Sequence, residues 1–213
     1  MAALPPDTQR RAEILELLER LHRHKDAAYG DAWRKRGEVI AIFANMARKY
    51  DRLTVAFEEQ RPAATEPLAD TVGDLCVYAG KYVTWIAEQH PADLDAADLP
   101  ATADDVSDAR GPDALRALLA AAAAAPTAAP VDGRAAWAAV RDSFGTLERG
   151  LMAQATPGAA ALDIPSYAEK ASLAWALVQN TAWLLTCLAD EAPASLDALR
   201  AEVTDMDRAA EQP

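Results

Sequence analysis

Three carboxylates stand one helical turn apart in this chain: Glu66, Asp70 and Asp74, at i, i+4 and i+8. Four residues turn about 400° around an α-helix, so on a helix these acids form a ladder down one face. Like charges at this spacing weaken a helix by roughly 0.2–0.5 kcal/mol per pair, which calls for a compensating cation. One candidate is Mg²⁺ (or Mn²⁺), because such ions are held by hard carboxylate oxygens together with substrate phosphates. The other is pairing with surface arginines. Asp74 runs directly into Leu75-Cys76-Val77-Tyr78, a segment that reads as buried.

The preceding helical segment carries its own polar stripe, Glu38, Asn45, Lys49 and Arg52, at spacings of 7, 4 and 3. It would set an acid, an amide and two cations opposite the ladder. It is equally the polar face of any amphipathic helix. Glu38 begins the stripe and is the expected contribution of this helix to a metal set of Glu38, Glu66, Asp70 and Asp74.

The elements that must position these groups read as helices throughout. Asp7 or Thr8 caps a first helix with Ile14, Leu17, Leu18 and Leu21 at helical spacing, ending by Tyr29-Gly30. A second starts between Asp31 and Gly37, with Val39, Ile42, Phe43, Met46, Tyr50 and Leu53 as its apolar stripe, and closes at Arg61-Pro62. Thr65 caps a third, which runs to His90-Pro91. The stretch 91–112 is rich in Asp and short of large apolar residues, and 114–126 is almost pure alanine. Trp137, Val140, Phe144, Leu147 and Leu151 mark a further helix, and Ser166-x-x-Glu169 is a capping box opening a long apolar one. A last short helix covers 195–207. The expected fold is all-α, an antiparallel helical bundle: a helical region 1–90, an acidic and Ala-rich connection 91–133, and a C-terminal helical half 134–213 packing on the first.

Residues 75–88 and 173–186 echo each other. Each carries a Trp ten residues after its leading Leu, and Leu-Asp-Ala follows each. A duplicated helical hairpin explains this, as does chance likeness between amphipathic helices. In a duplication the second copy has no ladder, because Ala168 and Ser172 stand where Asp70 and Asp74 would be. It then takes the place of the second subunit of a dimer. A homodimer and a single-chain pseudo-dimer are the two assemblies considered.

Composition narrows the function. The 213 residues are 51% hydrophobic and 25% charged, a balance that supports a folded core. A net charge of -12, from 21 basic and 33 acidic residues, argues against a nucleic-acid partner. With 2 Cys and 3 His, a disulfide framework and a Cys/His zinc site are both disfavoured. The first residues intersperse charges among apolar positions, unlike a signal peptide, and no uninterrupted apolar run reaches spanning length. No membrane partner is expected, and the expected location is cytoplasmic. No Gly-rich phosphate loop is present. His22 and His24 read as exposed, Cys76 and Cys187 as buried small hydrophobes, and Trp175 and Trp183 as core or a dimer seam. Capping accounts for Asp163, Glu169 and Lys170.

Three blocks carry a resemblance: Lys25-Asp-Ala-Ala-Tyr-Gly-Asp-Ala-Trp33, then Arg48-Lys-Tyr-Asp-Arg-Leu53, then Glu66-Pro-Leu-Ala-Asp-Thr-Val-Gly-Asp-Leu-Cys-Val-Tyr78. Over about residues 21–88 the chain resembles the MazG-like all-α NTP pyrophosphohydrolases, in their phage-type, nucleotide-modification-associated branch. One position departs. The branch has Asp where Ala28 stands, and Asp26 lies two residues before it. The resemblance implies a bundle that binds a nucleotide substrate through Mg²⁺ and releases a nucleoside monophosphate and pyrophosphate. It casts Glu66, Asp70 and Asp74 as catalytic, metal-facing acids. Lys25, Lys49 and Arg52 would meet phosphate oxygens, and Tyr29 and Trp33 would stack on a base. Lys49 and Arg52 alternatively pair with the protein's own carboxylates, and Tyr29 and Trp33 alternatively pack over the bundle's end. Tyr78 orients Asp74 or is plain core. The alternative function is a noncatalytic helical interaction protein derived from the same bundle.

Overall fold

Apolar residues recurring every three or four positions build the first helix, α1 (Pro6–Tyr29), whose Ile14, Leu15, Leu17, Leu18 and Leu21 are buried. The computed structural model describes residues 6–59, 68–94, 97, 99, 112–125, 128–155 and 164–210. Gly30 at φ 53° and Gly37 at φ 79° bracket the turn that follows, a conformation side-chain-bearing residues rarely adopt. Between them lies a 3₁₀ turn, Gly30–Trp33. The second helix opens not as α but as a π-helix, Glu38–Phe43, which continues into α2 (Ala44–Glu58). Its wider turn brings Glu38, Ala41, Ile42 and Phe43 all to the inside. The Arg61-Pro62 stop and the Thr65 cap lie outside the described residues.

The remaining helices are α3 (Leu68–Gln89), a single turn α4 (Pro91–Leu94), α5 (Pro112–Ala124), α6 (Gly133–Ala155), α7 (Tyr167–Glu191) and α8 (Pro193–Ala210). No strand occurs among the described residues. The fold is all-α. At the start of α7 the capping box forms: Glu169 N–H donates to Ser166 Oγ at 3.2 Å, and Ser166 N–H donates to Glu169 Oε2 at 2.8 Å.

The core is built on α3 lying antiparallel to α7. Cys76 reaches the Val178 carbonyl at 3.7 Å, while His90 at the far end stacks on Tyr167 with ring centroids 3.4 Å apart. Antiparallel α2 and α6 join through a column of rings: Phe43 on Phe144, Tyr50 between Phe144 and Trp137, and Phe57 on Trp137 at 4.9 Å. Helix α1 packs on α7 while α5 packs on α3, and α1 meets α5. The segments 75–88 and 173–186 therefore occupy corresponding places, each pairing with its own preceding helix and with the other. Ser172, opposite in this scheme to Asp74, donates its hydroxyl to the Ala168 carbonyl at 3.0 Å.

Several expectations need correction. The Ala-rich segment is no connection but bundle helix α5, with Ala114, Leu115, Leu118, Leu119, Ala121 and Ala122 buried. Alanine lets helices approach closely, and the three leucines supply the apolar area. A Cβ on Gly80 would meet Leu115 Cδ1 at 2.8 Å, a measure of how tightly α3 and α5 pack. His24 is not free on the surface: its Nε2 lies 2.7 Å from Asp207, which Arg20 also binds, and Arg200 pairs with Glu13 at 2.7 Å. These contacts lash α8 along α1. For Trp175 and Trp183 the core alternative holds, since both are buried within the chain, and the Arg11 guanidinium lies 4.8 Å from the Trp183 ring. Helix α7 is long and apolar enough to cross a membrane, with the share of its most apolar window buried inside the bundle at 61%. Asp163 lies outside the described residues.

Candidate functional site

Two of the three ladder acids are described. Asp70 and Asp74 lie one turn apart near the start of α3, both half-buried, and Glu66 falls outside the described residues. Because α2 runs antiparallel to α3, Lys49 comes to face Asp74, with Nζ 2.5 Å from Oδ2. Lys49 is buried, so its charge needs this partner. One turn earlier, Asn45 faces the same space, its amide donating to the Ala41 carbonyl at 2.9 Å. Arg52 is exposed at the far side of the stripe.

Around Asp74 the structure opens a cleft of about 470 Å³, lined by Lys25, Asp26, Trp33, Asn45, Asp74 and Tyr78 among others. The sequence-predicted Lys25, Trp33 and Asp74 thus come together from α1, the 3₁₀ turn and α3. Asp26, which reasoning from sequence left as a neighbour of Ala28, forms part of the wall. Lys81 Nζ donates to its Oδ1 at 2.7 Å, and His22 Nε2 stands 3.2 Å from the same oxygen without hydrogen-bond geometry. Burial pushes the Asp26 carboxyl up, but His22 and Lys81 outweigh it and hold it below the usual carboxylate value. Lys81 also lies over Trp33, 4.8 Å from the ring centroid. Burial, aided by the Asp74 charge, raises the Tyr78 phenol. Nothing is described of the Tyr29 side chain.

Glu38 is not brought to this cleft. Tyr82 donates to its Oε1, Lys170 Nζ sits 3.1 Å from the same atom, and Gln154 Nε2 donates to Oε2 at 2.9 Å. Tyr82 lies two turns beyond Asp74, about 12 Å along α3. The stripe that begins at Glu38 therefore divides: the π-helix turns its first residue inward to Lys170, and only the α-helical part faces the ladder. Lys170 is likewise no capping residue but the buried partner of Glu38. Nor is His22 exposed, since it borders the Asp74 cleft.

Sequence reasoning missed Asp26, Lys81 and Lys170 as paired groups. The available signal was a lysine inside an apolar helical run, Ala79-Gly80-Lys81-Tyr82, where a buried charge demands a partner. Among the described residues no three His, Cys, Asp or Glu side chains converge to hold a metal ion. Asp70 lines a smaller neighbouring pocket of about 70 Å³ that shares His22, Lys25, Asp74 and Val77 with the cleft. No family model, no curated protein and no solved structure matches the chain.

Proposed function

We propose that the cleft beside Asp74 binds a nucleoside triphosphate together with Mg²⁺ (or Mn²⁺) and hydrolyses it to the monophosphate and pyrophosphate. The observation that carries this reading is the convergence of Lys25, Trp33 and Asp74, from three separate elements, on one cleft. The described residues fit the metal in kind. Mg²⁺ is commonly held by one or two carboxylates plus substrate phosphates, and Asp70 and Asp74 offer two such groups one turn apart. Bound there, the ion would neutralise phosphate charge and activate water.

The chain's own groups then have distinct work. Lys25 places an ammonium at the cleft for phosphate oxygens, as a point charge without the fork of an arginine. Lys49 holds the Asp74 carboxylate in place by standing 2.5 Å from it. Trp33 offers an indole against which a base can stack. Asp26 holds Lys81 beneath that ring and so keeps the wall rigid. In the reaction, the oxygen of water bonds to the α-phosphorus and its proton passes to solvent, the bond from that phosphorus to the α,β-bridging oxygen breaks, and pyrophosphate leaves with that oxygen.

A noncatalytic helical interaction protein is the second reading. The closed pairs Lys49–Asp74 and Lys81–Asp26 favour it, because charges satisfied internally are those of a scaffold. Incubation with a panel of NTPs and dNTPs plus Mg²⁺ or Mn²⁺ separates the two. The catalytic reading expects monophosphate and pyrophosphate, lost in Asp74→Asn, and a metal-dependent rise in melting temperature. Neither hydrolysis nor a melting shift leaves the scaffold reading.

A further inference from the structure

We propose that the groove between α1 and α5 is a docking site for a basic amphipathic helix of a partner protein. This inference is independent of the nucleotide reading, because the groove lies away from the Asp74 cleft and shares no lining residue with it.

The groove has a volume of about 740 Å³. Its origin is the composition of α5. Leu115, Leu118 and Leu119 turn inward, and the outward positions Ala120, Ala123 and Ala124 carry only methyl groups. A trough is left beside α1, floored by Leu15 and Leu119 and open to solvent along Ala120 and Ala124. It extends along α1 from Gln9 to Glu19, about 15 Å, the length of roughly three helical turns. That is the shape a helix fills with residues at i, i+3/i+4 and i+7.

Charge selects the occupant. The α1 wall carries Glu13, Glu16 and Glu19, one per turn, against a single Arg116 on the α5 wall. Glu13 holds Arg200 and Arg116 holds Asp113 in solvent-accessible pairs that exchange partners at little cost, whereas Glu19, 12% exposed, is bound in a fork by Arg23. A helix with an apolar ridge and lysines or arginines beside it complements this wall, and the chain's net charge of -12 steers it in. The chain's own segment 95–111 has the wrong sign, with Asp95, Asp98, Asp104, Asp105 and Asp108 against Arg110. A second copy of the chain would bring the same acidic line.

The test uses the full chain and three labelled peptides of about twelve residues: leucines at helical spacing with lysines between, the same ridge with glutamates, and a scramble of the lysine peptide. Fluorescence anisotropy reads binding. The lysine peptide should bind saturably and at least tenfold more tightly than either control, and weaken as salt rises. Ala120→Arg, on the exposed edge of the groove, should reduce its affinity tenfold or more without changing the helical content or melting temperature of the protein. Glu16→Lys should weaken it less. Equal binding of the scramble would reduce the effect to bulk charge and overturn the proposal. So would an undiminished Ala120→Arg. Sedimentation showing a dimer that Ala120→Arg dissolves would assign the groove to a second copy instead, and overturn it equally.

Discussion

Lys170 reaches from α7 to Glu38 on the π-helix, 3.1 Å from Nζ to Oε1, with side-chain exposures of 2% and 6%. The pair ties the first half of the chain to the second through a spot where neither charge meets bulk water. Removing one partner strands the other. Lys170→Met should therefore destabilise the protein by roughly 3–5 kcal/mol, measured by urea unfolding. Lys170→Met combined with Glu38→Gln should recover a large part of that loss, a non-additivity that a double-mutant cycle reads directly.

Asp74 and Lys49 form the corresponding pair at the other end of α3, half open to solvent on the acid side. Asp74→Asn removes a proposed metal ligand and one carboxylate partner of a buried ammonium. The expected outcome is loss of any metal-dependent rise in melting temperature together with an apo protein roughly 1–3 kcal/mol less stable. Asp70→Asn should likewise abolish the metal response. Retained metal-dependent hydrolysis in both variants would remove the ladder from the mechanism.

The pH dependence of stability should carry the mark of Asp26. Its carboxyl is held below the ordinary value in the folded state by His22 and Lys81, against the opposing effect of burial. A carboxyl with a depressed folded pKa contributes stability above its unfolded pKa, about 4, and loses it as pH falls through the folded value. Asp26→Asn should be less stable than the parent near neutral pH. The gap between the two urea midpoints should close as pH drops below about 4. Parallel curves down to the acid limit would mean that Asp26 gains nothing from Lys81.

Cys76 is wholly buried, and burial pushes its thiol up to about 11. At pH 8 a thiol reagent should label Cys76 only as fast as the chain unfolds, because the reacting species is the thiolate. Half-buried Cys187, raised by burial and by Glu191, should react first. Fast labelling of Cys76 in native buffer would contradict the α3–α7 packing.

Gly150 gives a local test of the α6–α7 hairpin. A Cβ there would collide with the ring of Pro165, which cannot rotate away as a long side chain can. Gly150→Ala should cost about 1–3 kcal/mol in urea unfolding despite alanine's better helix propensity.

Helices were legible in the sequence wherever periodicity and capping agreed. The stripe Trp137, Val140, Phe144, Leu147 and Leu151 is buried throughout, and Ser166-x-x-Glu169 marks the start of α7. The role of α5 was not legible. Its hydrophobicity is spread over many methyl groups, so it gives no strong apolar face until a neighbour is known. The site was half legible for a geometric reason. Asp74 and Lys49 keep the relation that α-helical spacing predicts. Glu38 does not, because spacing arguments assume 3.6 residues per turn and the π-helix breaks that count. Lys81 and Lys170 were anomalies of type, charged residues amid apolar ones, whose partners lie too far away in sequence to be paired by inspection.

The π-helix also gives the chain slack in length at one place. A π turn holds one residue more than an α turn needs. Ile40, 69% exposed within it, has little packing to lose. Deleting Ile40 would let the segment close to a regular α turn that sweeps about the same angle. Glu38 would then keep facing Lys170, Tyr82 and Gln154. A deletion in the regular helix between Ala44 and Lys49 would instead turn Glu38 by about 100° relative to Lys49 and break one of the two buried pairs.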